Sequence, residues 1–277
     1  MICFPNAKIN LGLHILSKRS DGFHNIETFF YPIAWSDCLE VIENRSFVKG
    51  DYKIELELLG IELQSNGENL VEKAYHFLDA RFDLPPVRVY LQKNIPAGAG
   101  LGGGSSDCAF MLSGMNKMFQ LGVSKSELSL WASYLGSDCP FFLENKPAFA
   151  SGKGEILTIN EGFSLKDYYI CVVFSGIELS TKEAYQNISP FTPEKRLPDL
   201  LLQDIRNWRV GVDNHFEKRF FAKFPELAAI KKQMYKIGAE YAAMSGSGSA
   251  IFGIFSEEPD AGSLAKFSQV KVWVGRG

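Results

Sequence analysis

Residues Asn94 to Cys108 read NIPAGAGLGGGSSDC, a glycine-dense run opened by a proline and closed by two serines and an aspartate. Before it, Val87, Val89 and Leu91 alternate with polar residues; after it, Ala109, Met111, Leu112, Met115 and Met118 recur at helical spacing. The order is strand, glycine loop, helix. Glycine at this density lets the backbone take positive φ and approach a ligand with no Cβ in between. Ser105, Ser106 and Asp107 stand where an N-cap is expected, so the first helix amides and the positive end of its dipole face whatever the loop holds. Phosphate suits such a cradle.

Three familiar glycine loops do not fit. A Walker loop ends in Gly-Lys-Ser/Thr, and no lysine stands between Asn94 and Ser106. Gly98, Gly100 and Gly103 do spell G-x-G-x-x-G. Yet Lys93, Asn94, Ile95 and Pro96 separate them from the strand, and no second strand ending in an acid follows the helix, as a dinucleotide fold requires. The protein-kinase loop wants a valine where Ser105 stands, and the chain lacks the HRD and DFG signatures. What does match is P-x-x-x-G-L-G-G-G-S-S, satisfied from Pro96 to Ser106, which resembles the middle motif of the GHMP kinases. Two more stretches resemble that family in its own order: PNAKINLGLHIL, Pro5 to Leu16, at the start, and YAAMSGSGSAIFGIF, Tyr241 to Phe255, near the end.

The bulk properties agree with a small-molecule enzyme. A chain of 277 residues is long enough for one large domain or two modest ones. We expect domains at 1–163 and 164–277, since short strands take over before a boundary near Ser164. Hydrophobic residues make up 46% and mean hydropathy is -0.05, with no apolar run near the roughly 20 residues that span a bilayer. The start, Met1-Ile2-Cys3-Phe4-Pro5, lacks the basic and long apolar parts of a signal peptide, so a cytoplasmic protein without a membrane anchor is expected. Net charge is -3 with scattered lysine and arginine, which argues against nucleic acid. Cys3, Cys38, Cys108, Cys139 and Cys171 form no C-x-x-C pair and read as reduced thiols; His14, His24, His76 and His215 make no metal motif.

In the first strand Ile9, Leu11, Leu13 and Ile15 share one face, and Lys8 and Asn10 lie side by side on the other, often a solvated arrangement. SKRSDGFHN, Ser17 to Asn25, is a turn that presents Phe23 and His24, and the strand Ile26 to Ile33 returns from it. Leu39 to Ile42 and Lys53 to Leu58 read as strands. Asn69 caps a helix to about Phe82, and Ser124 or Ser126 with Glu127 starts one ending near Leu135-Gly136. In LGSDCPFF, Leu135 to Phe142, Pro140 disfavours helix at Cys139 and leaves Asp138 in a turn. Ser180-Thr181-Lys182-Glu183 opens a helix bearing Tyr185. Asp213 to Glu217 reads as scaffold, and Pro225 to Ile237 as a helix ended by Gly238.

The resemblance implies a two-domain α+β fold: an N-terminal ribosomal-protein-S5-like domain, a C-terminal α+β domain and an active site in the cleft between them. It implies that ATP is held by Pro96, Ala97, Gly98, Ala99, Gly100, Leu101, Gly102, Gly103, Gly104, Ser105 and Ser106, with Lys93 and Asn69 near the adenine. Ser245, Gly246, Ser247 and Gly248 would support the phosphate loop with further backbone donors. The opening motif and the D-G-aromatic-H turn resemble one branch of the family, whose alcohol substrate carries a cytidine diphosphate. That branch places the base against Phe23, His24 and Tyr185, with Asn10 and Thr181 also on the substrate side. Its G-x-D-x-P-F stretch makes Asp138 the catalytic base, and Lys8 would keep the carboxylate ionised and orient the attacking hydroxyl. Magnesium is expected with the ATP, through the Ser106 hydroxyl at most, since no carboxylate cluster offers a cage. The expected partner is a small molecule, with no nucleic acid and no membrane, acting on a monomer or weak homodimer. A kinase for another small alcohol, or a silent sugar-binding regulator on the same fold, stands as the alternative. Asp107, where asparagine is frequent, and Phe23, where tyrosine is, depart mildly from the family pattern.

Overall fold

The computed structural model describes residues 1–48, 50–61, 67–186 and 188–277. In chain order the strands are β1 (Ile2–Cys3), β2 (Asn6–Lys18), β3 (His24–Ser36), β4 (Cys38–Glu43), β5 (Ile54–Gly60), β6 (Val87–Lys93), β7 (Ala148–Ser151), β8 (Ile156–Ile159), β9 (Tyr169–Phe174), β10 (Tyr241–Met244), β11 (Ile251–Phe255) and β12 (Lys271–Arg276). The principal helices are α1 (Leu70–Phe82), α2 (Gly103–Met118), α3 (Lys125–Leu135), α4 (Cys139–Glu144), α5 (Thr181–Tyr185), α6 (Leu197–Leu201), α7 (Glu217–Lys223) and α8 (Pro225–Lys236). Packing sorts the chain into two units that alternate along the sequence. One holds Met1–Ala7, Trp35–Pro96 and Gly102–Asn145; the other holds Lys8–Ala34, Ala97–Leu101 and Lys146–Gly277. The shift in composition near Ser164 does not mark this division, because segments from early in the chain pack with the C-terminal part: Leu13 of β2 bridges Asn214, and the Gly100 carbonyl accepts from Ser245.

The first unit is a sheet in the order β1-β4-β6-β5. β5 runs parallel to β6, and α1 supplies the crossover such a pair needs. Val87, Val89 and Leu91 of β6 point inward at period two and meet Val71, Tyr75 and Leu78 of α1 and Met111, Leu112 and Met115 of α2 in one core. Asn69 and Glu72 form a reciprocal capping box that starts α1, and Ser124 with Glu127 does the same for α3; each such cap contributes about 1 kcal/mol. One expectation is corrected here. Pro140 does not keep Cys139 out of a helix: α4 begins at Cys139 with Pro140 in its first turn, where a proline's missing N–H would have found no partner anyway. Asp138 stands at the turn before it.

The second unit carries two sheets, β2-β3-β7-β8 and the antiparallel β10-β11-β9-β12. Phe220 of α7 and Leu227 and Met234 of α8 cover Cys171 and Val173 of β9 and Ile251 of β11. β2 is buried on both faces rather than solvated on one: Ile9, Leu11 and Ile15 are inaccessible, and Lys8, Asn10 and His14 are at most 2% exposed. A lysine and an asparagine so enclosed must be paired, which directs attention to them. No described helix is long and apolar enough to cross a membrane, and all five cysteines are free.

Candidate active site

In the second unit, Lys8 Nζ donates to Asn10 Oδ1 at 2.5 Å and to the Gly100 carbonyl at 3.0 Å, and lies 5.0 Å from the centre of the Phe30 ring. Asn10 Nδ2 donates to Thr28 Oγ1 at 2.8 Å, and the Asn10 amide donates to Ser245 Oγ at 3.2 Å. Ser245 Oγ in turn donates to the same Gly100 carbonyl at 2.8 Å. Strand β2 thereby ties the tip of one glycine loop to the start of the other. The Ala250 amide donates to the Ala99 carbonyl at 3.0 Å, and a Cβ on Gly100 would stand 2.0 Å from the Ser245 carbonyl oxygen. Two backbones this close leave room only for glycine at Gly100, whose φ is +75°. Residues 97–101 and Ser245 to Gly248, matched to two separate motifs, are in contact.

Behind the second loop, Asn214 Nδ2 donates to the carbonyls of Met244 at 2.8 Å and Gly246 at 2.7 Å, and Glu217 accepts from the Met244 amide. The stretch read as scaffold is scaffold for this loop in particular. Thr181 Oγ1 lies 3.1 Å from Ser247 Oγ, placing the start of α5 at the same loop. Beyond it Tyr185 stacks on His24, ring centres 5.3 Å apart, and meets Phe216 edge-on. Burial, with the Lys18 charge adding, holds the His24 imidazole below its usual pKa. Phe23 is 57% exposed, with the Lys153 ammonium 4.7 Å from its ring centre.

The first unit holds the flanks of the main loop. α2 starts at Gly103, with Gly102 as its N-cap at φ +73° and no side-chain cap. The expected cap at Ser105, Ser106 or Asp107 is therefore corrected: all three are already helical, and the cap position demands the left-handed backbone that glycine supplies. Ser106 Oγ is fully buried with no hydrogen-bond partner. Asp107 is turned inward, where Lys93 Nζ donates to its Oδ2 at 2.6 Å. Lys93 also pairs with Asp37, so its ammonium is held by two carboxylates. Burial lowers the Lys93 pKa, but the carboxylates of Asp107 and Asp37 raise it by more. Asn69 has its side chain engaged in capping α1, accepting from the Val71 amide at 2.9 Å. Gly104 faces Leu70, so α1 and α2 start side by side. A Cβ on Gly136 would lie 3.6 Å from Ser105 Oγ, which brings the turn bearing half-buried Asp138 alongside the first turn of α2.

Asp37 and Thr28 escaped the sequence reading. Asp37 has a legible signal in retrospect: β6 continues its inward series with Lys93, and a buried lysine requires an acid. Thr28 has none, being one of many β-branched strand residues.

Two family models match the chain: GHMP kinases N terminal domain over residues 69–146 and GHMP kinases C terminal over residues 197–267. The chain is 47% identical over 259 residues, 93% of either sequence, to the 4-diphosphocytidyl-2-C-methyl-D-erythritol kinase of Bacteroides thetaiotaomicron. It is 44% identical over 279 residues to the enzyme of that name from Parabacteroides distasonis, covering 100% of this chain and 99% of that one. The solved structure of a 4-(cytidine 5'-diphospho)-2C-methyl-D-erythritol kinase superposes with a TM-score of 0.81 at 33% identity, covering 99% of this chain and 98% of the other.

Proposed function

The chain belongs to the GHMP kinase family, and from that premise we propose that it transfers the γ-phosphate of ATP to the 2-hydroxyl of 4-diphosphocytidyl-2-C-methyl-D-erythritol, in the cytoplasm, on the non-mevalonate route to isoprenoid precursors. The observation that carries this reading is the junction of the two glycine loops at Gly100 and Ser245, with the Lys8 ammonium held on the Gly100 carbonyl. Phosphoryl transfer asks the protein to align the nucleophile, offset phosphate charge and accept one proton. In this reading the backbone donors of Gly98 to Ser106 and of Ser245 to Gly248 receive the triphosphate, and the start of α1 borders the adenine. Asp138 accepts the proton of the attacking hydroxyl. Lys8, oriented by Asn10, aligns that hydroxyl and balances the charge that develops on it. Phe23, His24, Thr181 and Tyr185 hold the cytidine end, where aromatic faces suit a pyrimidine.

Among the described residues no three His, Cys, Asp or Glu side chains converge on a metal position. That donor set fits an ion carried mainly by phosphate oxygens, and the buried, unpartnered Ser106 hydroxyl is the protein oxygen that would join it. Magnesium, when bound with ATP, supplies neutralisation of phosphate charge.

The test is purified protein with magnesium and ATP against a panel of alcohols, following ADP release. Turnover confined to the cytidine substrate is expected. Turnover of homoserine or a mevalonate instead would select another branch, and none with any alcohol would favour a non-catalytic protein.

A further inference from the structure

Along β6 the inward positions read Val87, Val89, Leu91 and then Lys93, so period-two geometry carries a lysine onto the face that otherwise builds the core. Lys93 is 3% exposed, Asp37 0% and Asp107 2%. One Asp37 oxygen takes the Lys93 ammonium, while the other accepts from the Asn94 amide at 2.6 Å and the Ile95 amide at 2.9 Å. Lys93 reaches Asp107 in the second turn of α2, whose remaining oxygen is buried without a partner. A Cβ on Gly103 would come within 3.0 Å of Ile95 Cγ2 and 3.4 Å of Lys93 Nζ, so the start of α2 rests on this same group.

Three buried charges are a poor route to stability, since apolar side chains of equal volume usually serve as well or better. The arrangement does something apolar side chains cannot. Asn94 and Ile95 lead into the glycine loop and Asp107 lies just beyond it, so one hydrogen-bonded chain fixes both ends. We propose that Asp37 and Lys93 are positioning residues for ATP: they set the loop's first residues against the opening turns of α2, so that the loop presents its backbone donors to the triphosphate in one arrangement. This rests on the kinase reading above. A second lysine in the same unit, Lys53, joins Asp79 at 2.9 Å and Asp83 at 2.7 Å, but there Asp83 is 95% exposed and the group lies on the opposite end of α1 from the loop. It provides the control.

The experiment compares Asp37→Asn, Lys93→Met, their double variant and Lys53→Met in the full chain. Readouts are KM for ATP and for the alcohol, kcat, urea stability, and hydrogen exchange at the Asn94, Ile95 and Ser106 amides without nucleotide. An asparagine at 37 accepts on one side only, and its NH2 must face either the ammonium or the two amides. Asp37→Asn and Lys93→Met should each raise the KM for ATP about tenfold, the scale of one lost hydrogen bond to a charged group. The KM for the alcohol should stay within about twofold, and exchange at the three amides should speed up. The double variant should match the worse single one, because the two groups act as one chain. Lys53→Met should lose stability with the KM for ATP unmoved. Should Lys93→Met fail to fold, the near-isosteric Asp37→Asn carries the comparison. Variants that lose stability but keep the wild-type KM for ATP and wild-type exchange overturn the proposal, as does a double variant whose effects simply add. A wild-type chain with no ATP turnover would instead sink the kinase reading, leaving exchange to decide the pinning alone.

Discussion

Replacing Gly100 by alanine tests the junction of the two loops most directly. Its φ of +75° costs an L-residue about 1–2 kcal/mol. The new Cβ would lie 2.0 Å from the Ser245 carbonyl oxygen, 2.9 Å from its carbon and 3.0 Å from the Gly248 nitrogen, so backbone must retreat by roughly 1 Å before contact is tolerable. Overpacking of this kind costs about 1–3 kcal/mol, for a total of about 2–5 kcal/mol. The Gly100 carbonyl moves too, and with it the acceptor of Lys8 and Ser245. A displacement of that size at a reacting group costs about 10²-fold in rate. Gly22→Ala is the companion, because its φ is +85° but nothing lies within 4 Å of the added carbon. It carries the backbone penalty alone. Urea unfolding of both variants, with kcat/KM for ATP, separates the two contributions. Equal destabilisation by the two substitutions, or wild-type kinetics in Gly100→Ala, would refute the claim that the loops meet too closely for a side chain.

Asp138→Asn should lower kcat by about 10²–10⁴ with both KM values nearly unchanged, as for a positioned base; steady-state kinetics showing less than a tenfold loss would remove that role. Phe23→Ala combined with Tyr185→Ala should weaken binding of the cytidine substrate by about 1–3 kcal/mol per stacked face while leaving ATP affinity alone; calorimetry with wild-type affinity would dispose of the base site. Burial pushes the Asp107 carboxyl up to about 7, with the Lys93 charge opposing and Asp37 adding. The folded state therefore holds that proton more tightly than the unfolded chain, so Asp107 costs stability increasingly from about pH 4 to pH 7 and by a constant amount above. Asp107→Asn should flatten that fall in urea titrations between pH 5 and 8, and an unchanged slope would count against the assignment.

The sequence made the local elements legible wherever the physics is local. The cap at Asn69 and the choice of Ser124 or Ser126 with Glu127 locate the starts of α1 and α3, which the structure fixes at Asn69 and Ser124, because a side chain reaching its own backbone needs no knowledge of the rest of the molecule. The glycine loop was readable for the same reason, although its cap was not: serine and aspartate are good caps, but a left-handed cap position excludes them in favour of Gly102. Asp138 fell in the expected turn, while Cys139 entered a helix that the following proline tolerates. Burial was the harder matter. Lys8 and Asn10 fit a solvated strand face equally well until the two glycine loops, contributed from far along the chain at Gly100 and Ser245, meet them. Asp37 is of this kind, since its partners Lys93, Asn94 and Ile95 lie 56 to 58 positions away in sequence.

The alternation of the two units has a consequence for synthesis. Thr28 in β3 pairs with Ala150 in β7. At about 5–20 residues per second, the 122 residues separating them take roughly 6–24 s to emerge from the ribosome. Through that interval a long apolar strand waits with one edge open. No cut from either terminus isolates a unit, because residues 97–101 belong with a partner made last. Shortened versions of this enzyme should therefore be sticky rather than compact, and a chaperone that shields nascent strands would help it more than it helps a protein whose domains follow one another in sequence.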